Sequence, residues 1–215
     1  MPAPPKLDRR RTAAKPQPGD ATSREQLLAA ASRVFARAGY HGASMSEIAA
    51  EAGFSKGALY WNFASKDELF FALLDELDER LRALMTASAT APADRDINED
   101  ISRGLSAVLE DGRDVVLLFH EYSALAVRDP KVAARYAARN ARLRAELAAS
   151  MRARHEATGI PMAIPAEQLA TAVIALVDGL SIQQLTEPDA VPDDLFGQIH
   201  SLIDDGMTLR AKEPT

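Results

Sequence analysis

The residues best suited to chemistry sit close together. Ser44, Ser55, Lys56, Tyr60, Trp61, Asn62 and Lys66 lie within one short stretch, and Arg24 precedes them. Their ammonium, guanidinium, hydroxyl and amide groups donate to phosphate oxygens and to base edges. They do not make an acid–base or nucleophilic constellation. One motif imitates such a constellation: Gly53-Phe54-Ser55-Lys56-Gly57 fits G-x-S-x-G. A hydrolase elbow needs a strand before the serine, and here a capped helix precedes it. The four histidines, His41, His120, His155 and His200, have no partner at metal-site spacing. There is no Cys and no Gly-rich nucleotide loop, so no metal, cofactor or catalytic residue is expected.

Three short helices must position those side chains. Ser44 with Glu47 forms a capping box, so a helix starts at Met45. Gly53 supplies the left-handed residue that stops it. Ser55 caps the next helix, Lys56–Asn62, and Ser65 with Glu68 forms a second box that starts a third. Two short helices joined by a glycine-bearing turn are a helix-turn-helix, whose second helix enters the DNA major groove. Ile48, Ala49, Ala52 and Leu59 pack between the two. Lys56 is placed to reach base edges or nearby phosphate, and Gly57 lets the helix approach DNA closely. Tyr60 and Trp61 are neighbours and cannot share a helix face, so one packs while the other reaches the backbone. Lys66, at a helix start, favours phosphate, as do Ser44 and, by position, Arg24.

From Arg24 to Phe70 the sequence resembles the TetR (tetracycline-repressor-like) family of one-component regulators. The likeness rests on Ala31, Phe35, Gly39-Tyr40, Ile48-Ala49, Ala52-Gly53, Lys56-Gly57, Leu59-Tyr60, Phe63 and Lys66. Gly57 to Phe63 is most similar to the branch that represses multidrug efflux pumps. Asn62 departs from the His common there, and it keeps a donor for phosphate. The resemblance implies that Tyr60 contacts phosphate. It also implies that a small molecule inside the body moves a linker helix, here Lys66–Thr86, and that the last two helices pair across a twofold axis into a four-helix bundle. Repression is that family's usual mode, and this branch implies a hydrophobic or aromatic effector.

Bulk composition fits an all-α chain. Of its 215 residues 47% are hydrophobic and only 6% aromatic, with abundant Ala. The net charge of −6 looks wrong for a DNA binder, but its distribution does not. Ten Lys/Arg and five Asp/Glu precede Asp67, leaving 15 and 26 after it, so a basic head sits on an acidic body. Half of the head's positive charge lies in residues 1–20, a Pro- and Arg-rich arm expected to be disordered and able either to follow DNA or simply to solubilise. The head then spans 21–66 and the ligand-binding and dimerisation body 67–215. The start lacks a signal peptide's apolar core, and no run was expected to reach the ~20 apolar residues that cross a membrane. A soluble, cytoplasmic protein is the expectation.

About nine helices are expected. A helix over 23–39 opens the head, with a Thr22–Glu25 capping box. After the linker, helices follow at about 97–110, 114–127, 130–158, 166–186 and 193–210. Pocket walls are expected from Phe119, Tyr122, Tyr136, Met151 and Ile174, with His120, Glu121 or Gln183 as polar groups, although ordinary core or surface roles fit each of them too. In 166–186, Leu169, Val173, Leu176 and Leu180 form one stripe, and Thr171, Ala175 and Gly179 a second of small residues. A helix apolar nearly all round needs cover on both sides. The dimer interface is therefore placed on Leu169, Val173, Leu176 and Leu180 together with Leu195, Ile199 and Leu202 of the last helix. The functional expectation is a dimeric regulator that binds operator DNA and responds to a small effector. The rival is a helical adaptor without operator recognition.

Overall fold

The structure, a computed structural model, describes residues 21–92 and 94–212; for 21, 22, 204 and 207–212 it describes the backbone alone. The basic arm and the Thr22 cap lie outside the described residues. Nine α-helices and a single turn of 3-10 helix (Pro188–Ala190) make up the described chain, which has no strand.

The head is α1 (Ala21–Gly42), α2 (Met45–Glu51) and α3 (Lys56–Asn62). α1 starts two residues before the predicted start and runs three residues past Gly39. The helix kinks at Gly39, where φ is 68° and ψ 174°, a conformation that an L side chain adopts only under strain. Ser44 makes the complete capping box, accepting from Glu47 N while Glu47 Oε2 accepts from Ser44 N. Gly53 is left-handed, φ 74°, as the helix stop requires. Ser55 accepts from Ala58 N. Each such cap is worth about 1 kcal/mol. The Ser65 box is only half formed: Ser65 Oγ accepts from Glu68 N, but Glu68 Oε2 accepts from Ala64 N instead of Ser65 N.

The body is α4 (Lys66–Thr90), α5 (Asn98–Asp111), α6 (Arg113–Ala126), α7 (Pro130–Thr158), α8 (Ala166–Thr186) and α9 (Leu195–Lys212). Pro130 at the first helical position and Gly159 at the left-handed end give α7 the predicted limits. α4 outruns its predicted end by four residues. No stop signal occurs before Pro92, and hydroxyls of Thr86 and Thr90 donate back to carbonyls one turn earlier. The main hydrophobic cluster crosses the head–body boundary: Leu28, Phe35 and Leu59 share it with Phe70 of α4 and Leu118 and Tyr122 of α6. A second cluster, around Ile101, Leu105, Leu169, Val173 and Phe196, belongs to the body alone.

Candidate DNA-reading face and body cavity

α3 has only two turns, and Leu59, fully buried, takes its inward direction. The opposite side presents Ser55, Lys56, Gly57, Tyr60 and Trp61, all exposed. Tyr60 and Trp61 are 45% and 75% exposed, so neither packs, contrary to the sequence expectation. They lie about 100° apart on the helix and straddle its outward direction, while the buried Phe63 fills the inner place. Lys56 Nζ stands 5.9 Å over the Tyr60 ring, making one ridge, and Gly57 leaves a step beside it. The Arg24 guanidinium stacks 5.1 Å over Phe63, which puts an exposed cation at the C-terminal end of α3.

Three predicted contact residues are already engaged. Lys66 is the clearest correction. Its ammonium is turned inward onto carbonyls at and just past the end of α1, Tyr40 O at 2.7 Å, Ala43 O at 3.0 Å and His41 O at 3.4 Å, and lies 4.6 Å over the Tyr40 ring. Those carbonyls have no helical donors, so a cation there caps α1. The lysine is a pin between α1 and α4 and has no donor left for phosphate. Ser44 spends its hydroxyl on Glu47, whose carboxyl these bonds hold below the usual range. Asn62 uses one amide hydrogen on Ala58 O.

The same junction carries residues whose role the sequence did not reveal. Tyr40 OH donates to Asp67 Oδ1, tying the end of α1 to the first turn of α4. Burial first, and that bond second, push the Tyr40 hydroxyl far above its ordinary value. Glu121, in the middle of α6, accepts from the backbone N–H of Tyr40 at 2.8 and 2.9 Å and of His41 at 3.4 Å. A side chain on Gly39 would put its Cβ 3.0 Å from that carboxylate. Tyr122 belongs here and not to a pocket: it stacks on Phe70 with centroids 4.0 Å apart and meets Tyr40 and Phe71 edge-on. Burial pushes its hydroxyl up to about 12. Glu121 is likewise a junction residue and not a pocket group.

Inside the body, α4 to α9 enclose a cavity of about 440 Å³. Its walls are mainly apolar, including Leu81 and Leu84 of α4, Leu105 of α5 and Leu147 of α7. Of the predicted wall residues, Phe119, Met151 and Ile174 line it. Tyr136 stacks behind Phe119, with centroids 5.5 Å apart. His120 hydrogen-bonds Ser181 through Nε2 at 2.9 Å, with burial drawing its pKa down. Gln183 is exposed. The sequence missed the polar lining, which includes Arg139 and Asp178. Arg139 is 4% exposed and pairs with Asp78 of α4. Burial pushes the Asp78 carboxyl up, and Arg139 opposes that. For Asp178 the signal was available: apart from Glu167 in the first turn, it is the only charge in the apolar α8.

The interface expectation for α8 needs its phase corrected. Leu169 and Val173 are buried against α5 and α9, with Leu176 and Leu180 packed on the same cluster. The outward side is instead Thr171, Ala172, Ala175 and Ile182, and on α9 Leu202, 70% exposed. Leu195 and Ile199 are half-buried. α8 also meets the length and composition of a membrane span, with mean hydropathy 1.4, a run that the sequence reading had not found. Only 22% of that apolar window is fully buried within the protomer, and the exposed side carries Thr171, Ala172, Ala175 and Ile182.

Known proteins share these features. Residues 27–73 match the N-terminal domain of bacterial regulatory proteins of the TetR family, and residues 99–205 match the C-terminal domain of BetI-type transcriptional repressors. An HTH-type transcriptional repressor of Mycobacterium tuberculosis is 30% identical over 169 residues, covering 74% of this chain and 81% of that one. The chain belongs to the TetR family. The HTH-type transcriptional regulator TtgR of Pseudomonas putida is 29% identical over 210 residues, 89% of this chain and 93% of its own. A solved transcriptional regulator from Pseudomonas aeruginosa PAO1 superposes with a TM-score of 0.69 at 25% identity, covering 87% of this chain and 91% of the other. This TetR-family protein is therefore a helix-turn-helix transcriptional regulator, all-helical, with a DNA-binding head on a larger helical body. Its relatives are regulators and not enzymes.

Proposed function

We propose that this regulator binds a near-palindromic operator as a homodimer, represses the adjoining gene, and lets go when a small, largely apolar molecule fills the body cavity. The observation that carries this reading is the path of α4. Its first residue, Lys66, is locked to the end of α1, and its middle residues Leu77, Leu81 and Leu84 form a cavity wall. One rigid helix therefore touches both places where ligands would act. A second route runs through α6, which lines the cavity with Val116 and Phe119 and holds α1 through Glu121. A ligand that favours a different tilt of α4 changes the spacing of two heads. It does so only by as much as it prefers that form, typically 1–3 kcal/mol.

The DNA contact set supported by exposure is Ser55, Lys56, Gly57, Tyr60 and Trp61, flanked by Arg24. Ser44 and Asn62 contribute through what their internal bonds leave over, and Lys66 drops out. The working division remains a head of 21–66 and a body of 67–215, acting in the cytoplasm, where operator DNA is. Dimerisation uses the outward side of α8 with Leu202, and two-fold pairing of heads sets half-sites a whole number of helical turns apart. The test is a gel shift on the DNA upstream of the protein's own gene, with salt titration and excess nonspecific competitor. A discrete complex that survives competitor and protects a near-palindrome is expected. Binding abolished by competitor at every salt concentration leaves only charge attraction, and the operator reading fails.

A further inference from the structure

The cavity's polar groups are nearly all committed. Arg139 pairs with Asp78, faces Asn140 Oδ1 at 3.3 Å, and keeps one unpartnered nitrogen, Nε, sealed from solvent and ligand alike. Ser150 donates to Met85 O, Arg154 to the carbonyls of Ala91, Pro92 and Arg95, and His155 meets Ile160 O. His200 bonds Asn98 Oδ1. Asp178 differs. It lines the cavity, half-buried, and its carboxylate accepts no hydrogen bond from any described residue. Its backbone carbonyl alone is used, by Ser181. The nearby positive charge, Arg139, is neutralised by Asp78. One negative charge is thus left over in a mainly apolar, partly open cavity. Such a charge is costly unless something pairs with it. The other acids at the cavity rim, Asp94 and Asp96, are exposed and need no partner.

Resting on the effector reading above, we propose that the cavity takes an amphipathic organic cation, an apolar body bearing an amine or quaternary ammonium group, with Asp178 as its counter-ion. The volume suits one such molecule, since small-ligand pockets run from about 300 to 1,000 Å³. The walls supply apolar burial and the ring of Phe119. An anion is disfavoured because it would meet Asp178 while every cationic group of the lining is already bonded.

Decyltrimethylammonium, decanol and decanoate share one chain and differ in charge. Their binding to the full-length protein is measured by isothermal titration calorimetry, well below micelle-forming concentrations. The cation should bind at about one per protomer and about tenfold or more tighter than the other two. Asp178→Asn, of nearly the same shape, should remove that preference and leave decanol binding in place, which also reports an intact cavity. Equal affinities for the cation and decanol, or tighter binding of decanoate, overturn the charge assignment while the effector cavity stands. A preference that survives in Asp178→Asn removes Asp178 as counter-ion. If none of the three binds, the cavity reading and this proposal fall together.

Discussion

At the residue scale, the head separates lysines by what their ammonium groups touch. Lys56 is exposed beside Tyr60, and Lys66 is spent on three carbonyls. Lys56→Ala should weaken binding to all DNA and lower the salt slope by about 1, with little effect on stability. Lys66→Ala should do the reverse. Hydrogen bonds from a charged donor contribute about 1.5–3 kcal/mol, and this half-buried group sits at the lower end of that range. Salt-dependent binding and thermal melts of both variants decide it; a lower slope in Lys66→Ala returns that residue to the phosphate set. Asp178 gives a second contrast. Burial pushes its carboxyl above the ordinary value, Arg139 opposes this, and Tyr136 and His120 are the other titratable groups around it. A raised folded-state pKa means the folded protein holds the proton more tightly than the unfolded chain. Stability is therefore lost as pH rises from the ordinary carboxylate range through that raised pKa. Asp178→Asn should stabilise the unliganded protein by about 1 kcal/mol at pH 7, with the gain fading toward pH 4. Equal melting temperatures at pH 7 would mean that Asp178 carries no such penalty.

At the scale of elements, α6 couples head to body through its share of the core and through the Glu121 carboxylate. Glu121→Ala leaves the N–H groups of Tyr40 and His41 without their acceptor, a loss of about 1–3 kcal/mol where they are buried. The head should then melt ahead of the body in calorimetry, and a single unchanged transition would show that the shared core around Phe70 and Tyr122 suffices to hold them together. Gly39→Ala attacks the same joint through backbone strain and a Cβ pressed on Glu121. This joint also marks how far the sequence could be read. Helix existence was legible because caps and breakers are local: Ser44 and Ser55 start helices, and Gly53 and Pro130 punctuate them. Glu121 was not legible, because its partners lie 80 and 81 residues away and nothing in α6 itself announces them. Lys66 misled for a related reason. A lysine at a helix start reads as a phosphate ligand until the neighbouring helix end is in place. The face of α8 was ambiguous for another reason: on a helix apolar nearly all round, two stripes satisfy the same periodicity, and only packing against Ile101, Leu105 and Phe196 selects one. In the cavity, bulky residues such as Phe119 and Met151 could be anticipated from size and helical position. Arg139 could not, being one of many arginines in α7.

For the whole molecule, the proposed pairing of two heads places the outward strip of α8 and α9 at the twofold contact. Thr171, Ala172 and Ala175 are small and exposed, which lets a partner helix approach closely, and Ile182 and Leu202 add apolar area. Ala175→Glu places a charge and extra volume at that strip without touching the protomer's own core, because Ala175 points away from Leu169 and Val173. The variant should keep its helicity and its melting behaviour at low concentration; on the proposed dimer it should sediment as a monomer, and the natural protein as a dimer. Linked heads bind the second half-site intramolecularly, so losing the link lowers affinity for the full operator by about 10²–10⁴ while affinity for an isolated half-site stays the same. A control substitution on the inward stripe, Leu176→Ala, should do the opposite, lowering stability by less than the roughly 2–5 kcal/mol of a fully buried leucine, because Leu176 is half-buried, while leaving assembly intact if the fold holds. Should Ala175→Glu remain dimeric, the twofold contact lies elsewhere on the body, and the exposed apolar side of α8 would need a different cover.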